Sequence, residues 1–355
     1  MAKFLQVIFI AALITGAILG VRSYVEQKMT DIDQAPLKTD LDIYTVKKGA
    51  TAYTILTDLS AHPEHRLLYR IWLRYHPEFR DFKAGTYSLE NASNLTEALT
   101  LLKSARELSF KFTIVEGTRF DQVKDNLIRQ KHLNQDLSDE VLAGMFPEYK
   151  DNPEGLLMAD TYSYTIGDKA SDIFKRAHSD LMRYLDSEWQ QRDEGLPYKT
   201  SYEALIMASI VEKETALEEE YPLIAAVFCN RLKINMKLQT DPTVIYGRRL
   251  TFDGNIRKSD LKEENPYNTY VIDGLPPTPI AIASRKAIHA VLHPSQVPFL
   301  YFVATGNGGH KFSRNYREHS RAVGEYLRNL RKNRLEQKLN RKDVIKKTSK
   351  PEQKE

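Results

Sequence analysis

The chain has 355 residues, 42% of them hydrophobic and 28% charged, enough for two or three domains around a sizeable core. Sixteen Gly and 15 Pro exclude collagen-like and low-complexity classes, and one cysteine, Cys229, excludes a disulfide framework or a cysteine-clustered metal site. The net charge of +4 is local. Arg331 to Glu355 holds ten Lys/Arg against four Asp/Glu, and the remainder holds 41 basic against 43 acidic groups, so no folded part has the balance of a nucleic-acid-binding surface.

Residues Phe4 to Val21 run for eighteen positions without a charge, between Lys3 and Arg22. As a helix they would span ~27 Å, close to the ~30 Å hydrocarbon core of a bilayer. A cleaved signal peptide is the alternative, with Thr15-Gly16-Ala17 as its small residues, but the apolar run continues through Ile18, Leu19 and Val21. The pattern favours an uncleaved transmembrane anchor over 4–22. With residues 1–3 left at the cytoplasmic end, the simplest topology translocates everything downstream. Residues 23–41 are polar without a clear apolar period and read as a linker.

A small unit of mixed strand and helix follows over 42–103. Ile43 to Val46 alternates as a strand, Ala52, Ile55, Leu56 and Leu59 fall on one helical face, Phe82 to Leu89 holds a turn and strand, and Leu95 to Leu102 reads as a helix. Its size suits a LysM-type carbohydrate-binding module, but on these residues alone an unspecialised α+β subdomain is the simpler reading. A larger unit over 108–330 begins with a strand at Phe110 to Val115. Helices are expected over Phe120 to Gln130, Asp172 to Trp189, Tyr202 to Ala216 and Tyr221 to Leu232. A hairpin is expected around Thr305 to Gly309, and a closing helix over Tyr316 to Leu330. The expected architecture is therefore α+β: an N-terminal transmembrane helix, a small LysM-like subdomain and a larger mixed domain. Residues 331–355 form a basic tail with the composition of a disordered segment.

The helix Tyr202 to Ala216 is apolar over most of its circumference, and Glu212 and Glu214 close its buried run. Two positions are about 200° apart around a helix, so the two carboxylates cannot form a facing acid–base pair. Glu214 shares its stripe with Met207, Ile210 and Val211. Apolar neighbours raise a carboxyl pKa, which a general acid near neutral pH needs; the alternative is a helix-end residue paired with Lys213 or solvent. Downstream, Asp241 reads as an N-cap with Pro242 at the first helical position. Gln239, Thr240, Thr243 and Tyr246, then Asn265 to Tyr270, supply hydroxyl, amide and aromatic groups suited either to a sugar surface or to ordinary turns. His310 beside a glycine hairpin suits a ligand-side or a structural role. His289 and His293 have the i, i+4 spacing of metal pairs, but the glutamate of HExxH is missing and Pro294 follows, so no metal site is assigned. No Gly-x-Ser-x-Gly or phosphate-loop motif is present.

Six ordered blocks carry a resemblance. They are Ala208 to Thr215, Asn230-Arg231-Leu232, Leu238 to Gly247, Tyr267 to Tyr270, Gly274 to Pro277 and Gly308 to Phe312. Together they resemble the MltG (YceG-like) family of endolytic murein transglycosylases. The resemblance implies an inner-membrane, single-pass protein with its bulk in the periplasm. It would cleave the MurNAc–GlcNAc bond within nascent peptidoglycan strands, leave 1,6-anhydro-MurNAc ends, and use no metal or cofactor. Cell-wall synthases are the implied partners. The family's catalytic glutamate corresponds to Glu214; Gln239, Thr240, Asp241, Tyr246, Asn268, Tyr270 and His310 would line the glycan groove, with Glu212 and Asn230 in support. One departure stands out: Met158-Ala159-Asp160-Thr161-Tyr162 replaces a Phe-Pro-Asp-Thr-Tyr loop. A non-catalytic glycan-binding scaffold, or a water-using hydrolase, are the readings to be separated from this one.

Overall fold

A computed structural model describes residues 2–39, 41–149, 151–306 and 308–331. They fall into two compact units: Met1–Phe110 with Ser163–Asp168, and Lys111–Tyr162 with Lys169–Glu355. The basic tail beyond Arg331 lies outside the described residues.

The first unit contains α1 (Ala2–Asp33), β1 (Ile43–Val46), α2 (Ala52–Leu59), α3 (Arg66–Tyr75), β2 (Gly85–Ser88) and α4 (Leu95–Lys103). β1 and β2 pair antiparallel, from Ile43 opposite Ser88 to Val46 opposite Gly85. α2 and α4 each start on a side-chain cap: Thr51 accepts from the Thr54 amide, and Asn94 accepts from the Glu97 amide. Their apolar faces, Ile55, Leu56 and Leu59 with Leu95, Leu99 and Leu102, close around Tyr69 and Trp72 of α3.

The N-terminal half of α1 exposes Phe4, Ile8, Phe9, Ile10, Leu13, Ile14, Ile18 and Leu19 all round, and the helix is long and apolar enough to cross a membrane. The linker expected over 23–41 is corrected. The helix runs unbroken to Asp33, and Met29, Ile32, Ala35, Leu37 and Leu41 pack on the first unit's core. Asp33 Oδ1 accepts the indole N–H of the buried Trp72 at 2.8 Å. Those apolar positions are too sparse to display a period, yet each has a place in the core.

The rest of the chain holds β3 (Ser109–Thr113), α5 (Phe120–Ile128), α6 (Asp139–Met145), β4 (Thr161–Thr165), α7 (Ala170–Gln190), α8 (Ser201–Glu214), α9 (Tyr221–Lys233), α10 (Asp241–Gly247), α11 (Arg285–Leu292), β5 (Tyr301–Ala304) and β6 (His310–Ser313). The chain passes between the units within β3 and β4, which pair with each other. α8 is the central element, packed by α7, α9, α10 and α11, and every residue from Ala204 to Val211 is buried. β5 and β6 form an antiparallel hairpin, Tyr301 opposite Ser313 and Ala304 opposite His310. Residues 316–331 are helical, as expected. In the departing loop, Met158 is fully buried and its carbonyl accepts the Tyr162 hydroxyl, so this variant of the loop is anchored by packing.

Candidate active site

Glu214 is the last residue of α8. The helix stops there because Thr215 turns to an extended conformation and gives its hydroxyl to Glu220 Oε2 at 3.1 Å, two residues before the sequence pattern ends. Lys213, the neighbour that could have neutralised Glu214, instead donates to the Gly117 carbonyl at 2.8 Å. The Glu214 carboxylate accepts a hydrogen bond from the Thr240 hydroxyl. Burial pushes its carboxyl above the usual carboxylate range and nearby Asp241 adds to the rise, while the Thr240 bond, His310 and Arg231 pull it back in part. An open cleft of about 460 Å³ reaches Glu214 and is also lined by Gly117, Thr118, Glu212, Lys213, Thr215 and Tyr221.

Thr240 corrects the expected cap. It, not Asp241, is the N-cap of α10, and Asp241 and Pro242 occupy the first turn. Its hydroxyl makes no capping bond to the helix because it is committed to Glu214. The freed position is supported from behind: the Thr240 amide donates to Thr269 Oγ1 at 3.1 Å, and Thr243 Oγ1 donates to the Thr240 carbonyl at 2.8 Å. Asp241 accepts from the Tyr270 hydroxyl at 2.7 Å. Gln239 is exposed just before the cap, with φ of +50°, a left-handed backbone that non-glycine residues rarely adopt.

His310 opens β6 and is held by Glu220. Its amide donates to Oε1 at 2.7 Å and its Nδ1 lies 2.6 Å from Oε2. Burial pushes the Glu220 carboxyl up, but the bonds from His310 and Thr215 outweigh it and hold it below its usual value. A carboxylate only accepts, so Nδ1 carries the hydrogen and the ring orientation is fixed.

Arg231 was not singled out from the sequence, although its neighbour was. Its buried guanidinium donates to the Leu300 carbonyl at 2.7 Å and to the Leu238 carbonyl, and lies 5.4 Å from the Tyr301 ring centre. It thus ties the approach to β5 to the loop that delivers Gln239 and Thr240. Asn230 assists by donating to the Val297 and Phe299 carbonyls. Glu220 was likewise missed. Both act over long sequence separations on carbonyls or a histidine, which no local motif records.

Glu212 also borders the open cleft, but its oxygens are engaged by other donors. Its two oxygens accept from the Tyr221 hydroxyl and the Ser284 amide, each at 2.9 Å, joining α8 to α9 and to the start of α11. Two residues expected in the groove are also placed outside Glu214's surroundings. Asn268 is buried and fully used inside its own loop, donating to the Asp260 and Glu263 carbonyls and accepting from the Tyr270 amide. Tyr246 lies five residues beyond Asp241, about 140° around α10. It is buried against Tyr267 and Asn152, beside Glu154, whose burial pushes its carboxyl up to about 7.

The site therefore assembles Glu214, Thr240, Asp241, Tyr270, Arg231 and His310 from α8, α9, the cap and first turn of α10, β6 and the loop that carries Tyr270. A half-buried carboxyl with raised proton affinity, open to a cleft and bonded by the Thr240 hydroxyl, is equipped to donate a proton and take one back.

The YceG-like family matches residues 44–325, and the chain belongs to that family. It is 33% identical over 268 residues to the endolytic murein transglycosylase of Bacillus subtilis strain 168, covering 69% of this chain and 73% of that protein. It is 26% identical over 361 aligned positions to the endolytic murein transglycosylase of Streptococcus pneumoniae serotype 2 strain D39 / NCTC 7466, covering 90% of this chain and 64% of that one. A solved structure of a YceG-like protein from Listeria monocytogenes is 27% identical and covers 79% of this chain and 98% of its own, with a TM-score of 0.49.

Proposed function

We propose that this chain is a membrane-anchored endolytic murein transglycosylase. Membership of the YceG-like family and the two relatives of that name support the activity, and α1 supports the anchor. The observation that carries the chemistry is Glu214, half-buried, raised in proton affinity, bonded by Thr240 and lining an open cleft.

In this reading the protonated Glu214 donates to the glycosidic oxygen as the bond to the anomeric carbon of MurNAc breaks. The same carboxylate then takes the proton from the MurNAc 6-hydroxyl as that oxygen bonds to the anomeric carbon. Both products are accounted for: a GlcNAc end bearing the donated proton, and a 1,6-anhydro-MurNAc end. Because the nucleophile is internal, one carboxyl suffices where hydrolases use two. Thr240 and Tyr270 position the acid and Asp241, while Gln239 and His310 contact the sugar. The bulk of the chain faces the periplasm, cleaving new strands beside the cell-wall synthases and so limiting their length, and residues 42–103 add a LysM-like glycan contact.

Mass spectrometry of glycan digested by the purified protein tests the reading. Anhydro-MurNAc ends support it; reducing ends would mean a hydrolase, and intact strands a scaffold.

A further inference from the structure

At the last turns of α7 and α11, Glu188, His289 and His293 present ligating atoms that all lie within 4.8 Å of one another. Oε2 of Glu188 gathers both rings, 2.7 Å from His289 Nδ1 and 3.7 Å from His293 Nε2, and the ring centres are 4.5 Å apart. The other nitrogen of His293, Nδ1, lies 2.9 Å from Asp193 Oδ1. Because a carboxylate only accepts, this Nδ1 bears the hydrogen, and in the neutral ring Nε2 turns a lone pair toward the Glu188 oxygen. Two acceptors facing one another repel; a cation between them makes both into ligands. A carboxylate that orients a histidine through its far nitrogen is also the usual outer support of a metal-bound imidazole.

The surroundings hold these groups in place. The Asp193 amide donates to the Leu292 carbonyl at 3.0 Å, and the His293 amide donates to the His289 carbonyl at 2.9 Å, fixing both loop residues to the end of α11. Glu188 and His293 are mostly covered, with side chains 17% and 25% exposed, while His289 is 57% exposed, so the cluster is backed by protein and open on one side. The histidine pair alone was insufficient in the sequence, because its third partner is 101 residues away in the chain.

We propose that Glu188, His289 and His293 form a site for a divalent transition metal that braces α7 against α11, with Asp193 orienting His293. Two imidazoles and one carboxylate suit zinc and its neighbours rather than magnesium or calcium, and leave a fourth tetrahedral position for water. Zinc bonds of about 2.0–2.1 Å require only that the close Glu188–His289 pair open by under about 1 Å. The metal takes the place of the hydrogen between His289 Nδ1 and Glu188, and in the neutral ring that hydrogen moves to Nε2. The brace is separate from the glycan chemistry, whose groups it does not share.

The test uses the full-length, tag-free protein in detergent, stripped with a chelator and titrated with Zn2+ by calorimetry and with Co2+ by visible absorption. The expected result is one equivalent per chain, a tetrahedral cobalt spectrum and a higher melting temperature with zinc. His289→Ala and Glu188→Gln should abolish all three, and Asp193→Ala should weaken zinc binding roughly 10–100-fold. Metal-free His289→Ala should melt with metal-free wild type, since the ring is mostly exposed, and should keep its glycan turnover. Absence of saturable binding to the wild type, or unchanged affinity in His289→Ala, would overturn the proposal.

Discussion

Glu214 is surrounded by groups that oppose one another over its charge. Burial, then Asp241, favour the protonated form, while the Thr240 hydroxyl, His310 and Arg231 favour the carboxylate, and burial prevails. A general acid must be protonated, so activity should fall as pH rises through this raised value. Thr240→Val removes the bond that stabilises the carboxylate and should move the alkaline limb of the pH–rate profile upward by about one unit, since such bonds are worth about 1.5–3 kcal/mol and one unit is about 1.4 kcal/mol. A limb that stays put or moves down would show that Thr240 does not tune the acid. The neighbouring carboxylate behaves differently. Glu212→Gln turns an amide group toward one of two donors and should cost about 1–3 kcal/mol of stability, read by thermal melts, with only a modest effect on turnover. An inactive but fully stable Glu212→Gln would reverse the two roles.

Among the elements, the short segment Leu238 to Asp241 sets the geometry of the site. Gln239 holds a left-handed backbone at φ of +50°, which costs a non-glycine residue about 1–3 kcal/mol. Retaining it places an exposed amide side chain beside the residue that binds Glu214. Gln239→Gly should relieve the strain and leave stability unchanged or slightly raised, while lowering glycan turnover. Equal turnover would mean that the side chain has no part in binding.

The strongest elements were legible because burial imposes period. The apolar runs of α2, α4, α7, α8 and α9, the alternation of β1 and the hairpin of β5 and β6 appear where the pattern places them. α3 was missed although its period is helical, with Arg66, Arg70 and Arg74 on one face and the buried Tyr69 and Trp72 on the other. The cap of α10 was misplaced by one residue because a capping threonine and a site threonine look the same; only the position of Glu214 separates them. Glu214 itself could be read from helical phase, whereas Arg231 and Glu220 act on partners brought close only by folding. Tyr246 and Asn268 show the converse: their residue types suit sugar binding, but Asn268 is used for hydrogen bonds within its own loop and Tyr246, on α10, is buried against Asn152 and Tyr267.

For the molecule as a whole, the place where the exposed apolar helix becomes folded core is inside α1. Deleting residues 1–22 removes the exposed apolar stretch but keeps Met29, Ile32 and Asp33, and should yield a soluble, folded protein that still cleaves isolated glycan. Deleting residues 1–35 removes Ile32 and the acceptor of the buried Trp72 indole. Loss of the apolar packing is worth about 2–5 kcal/mol and the stranded N–H about 1–3 kcal/mol, so the first unit should melt early, with a red-shifted tryptophan emission. Equal melting of the two truncations would place the boundary further along the chain.

The most direct test of the account is the turnover of Glu214→Gln beside wild type on one preparation of uncrosslinked glycan, with anhydro-MurNAc ends counted by mass spectrometry and thermal melts run in parallel. Gln keeps the shape and can still accept from Thr240, but it cannot pass a proton, so turnover should fall by at least ~10²–10⁴-fold. Stability should not fall at neutral pH. A carboxyl whose folded value is raised stabilises the fold below its unfolded value, about 4.3, and loses that contribution as pH rises through the folded one, so the variant should melt no lower than wild type there. A folded Glu214→Gln that still generates anhydro ends at near wild-type rate would contradict the assignment of the acid and, with it, the mechanism.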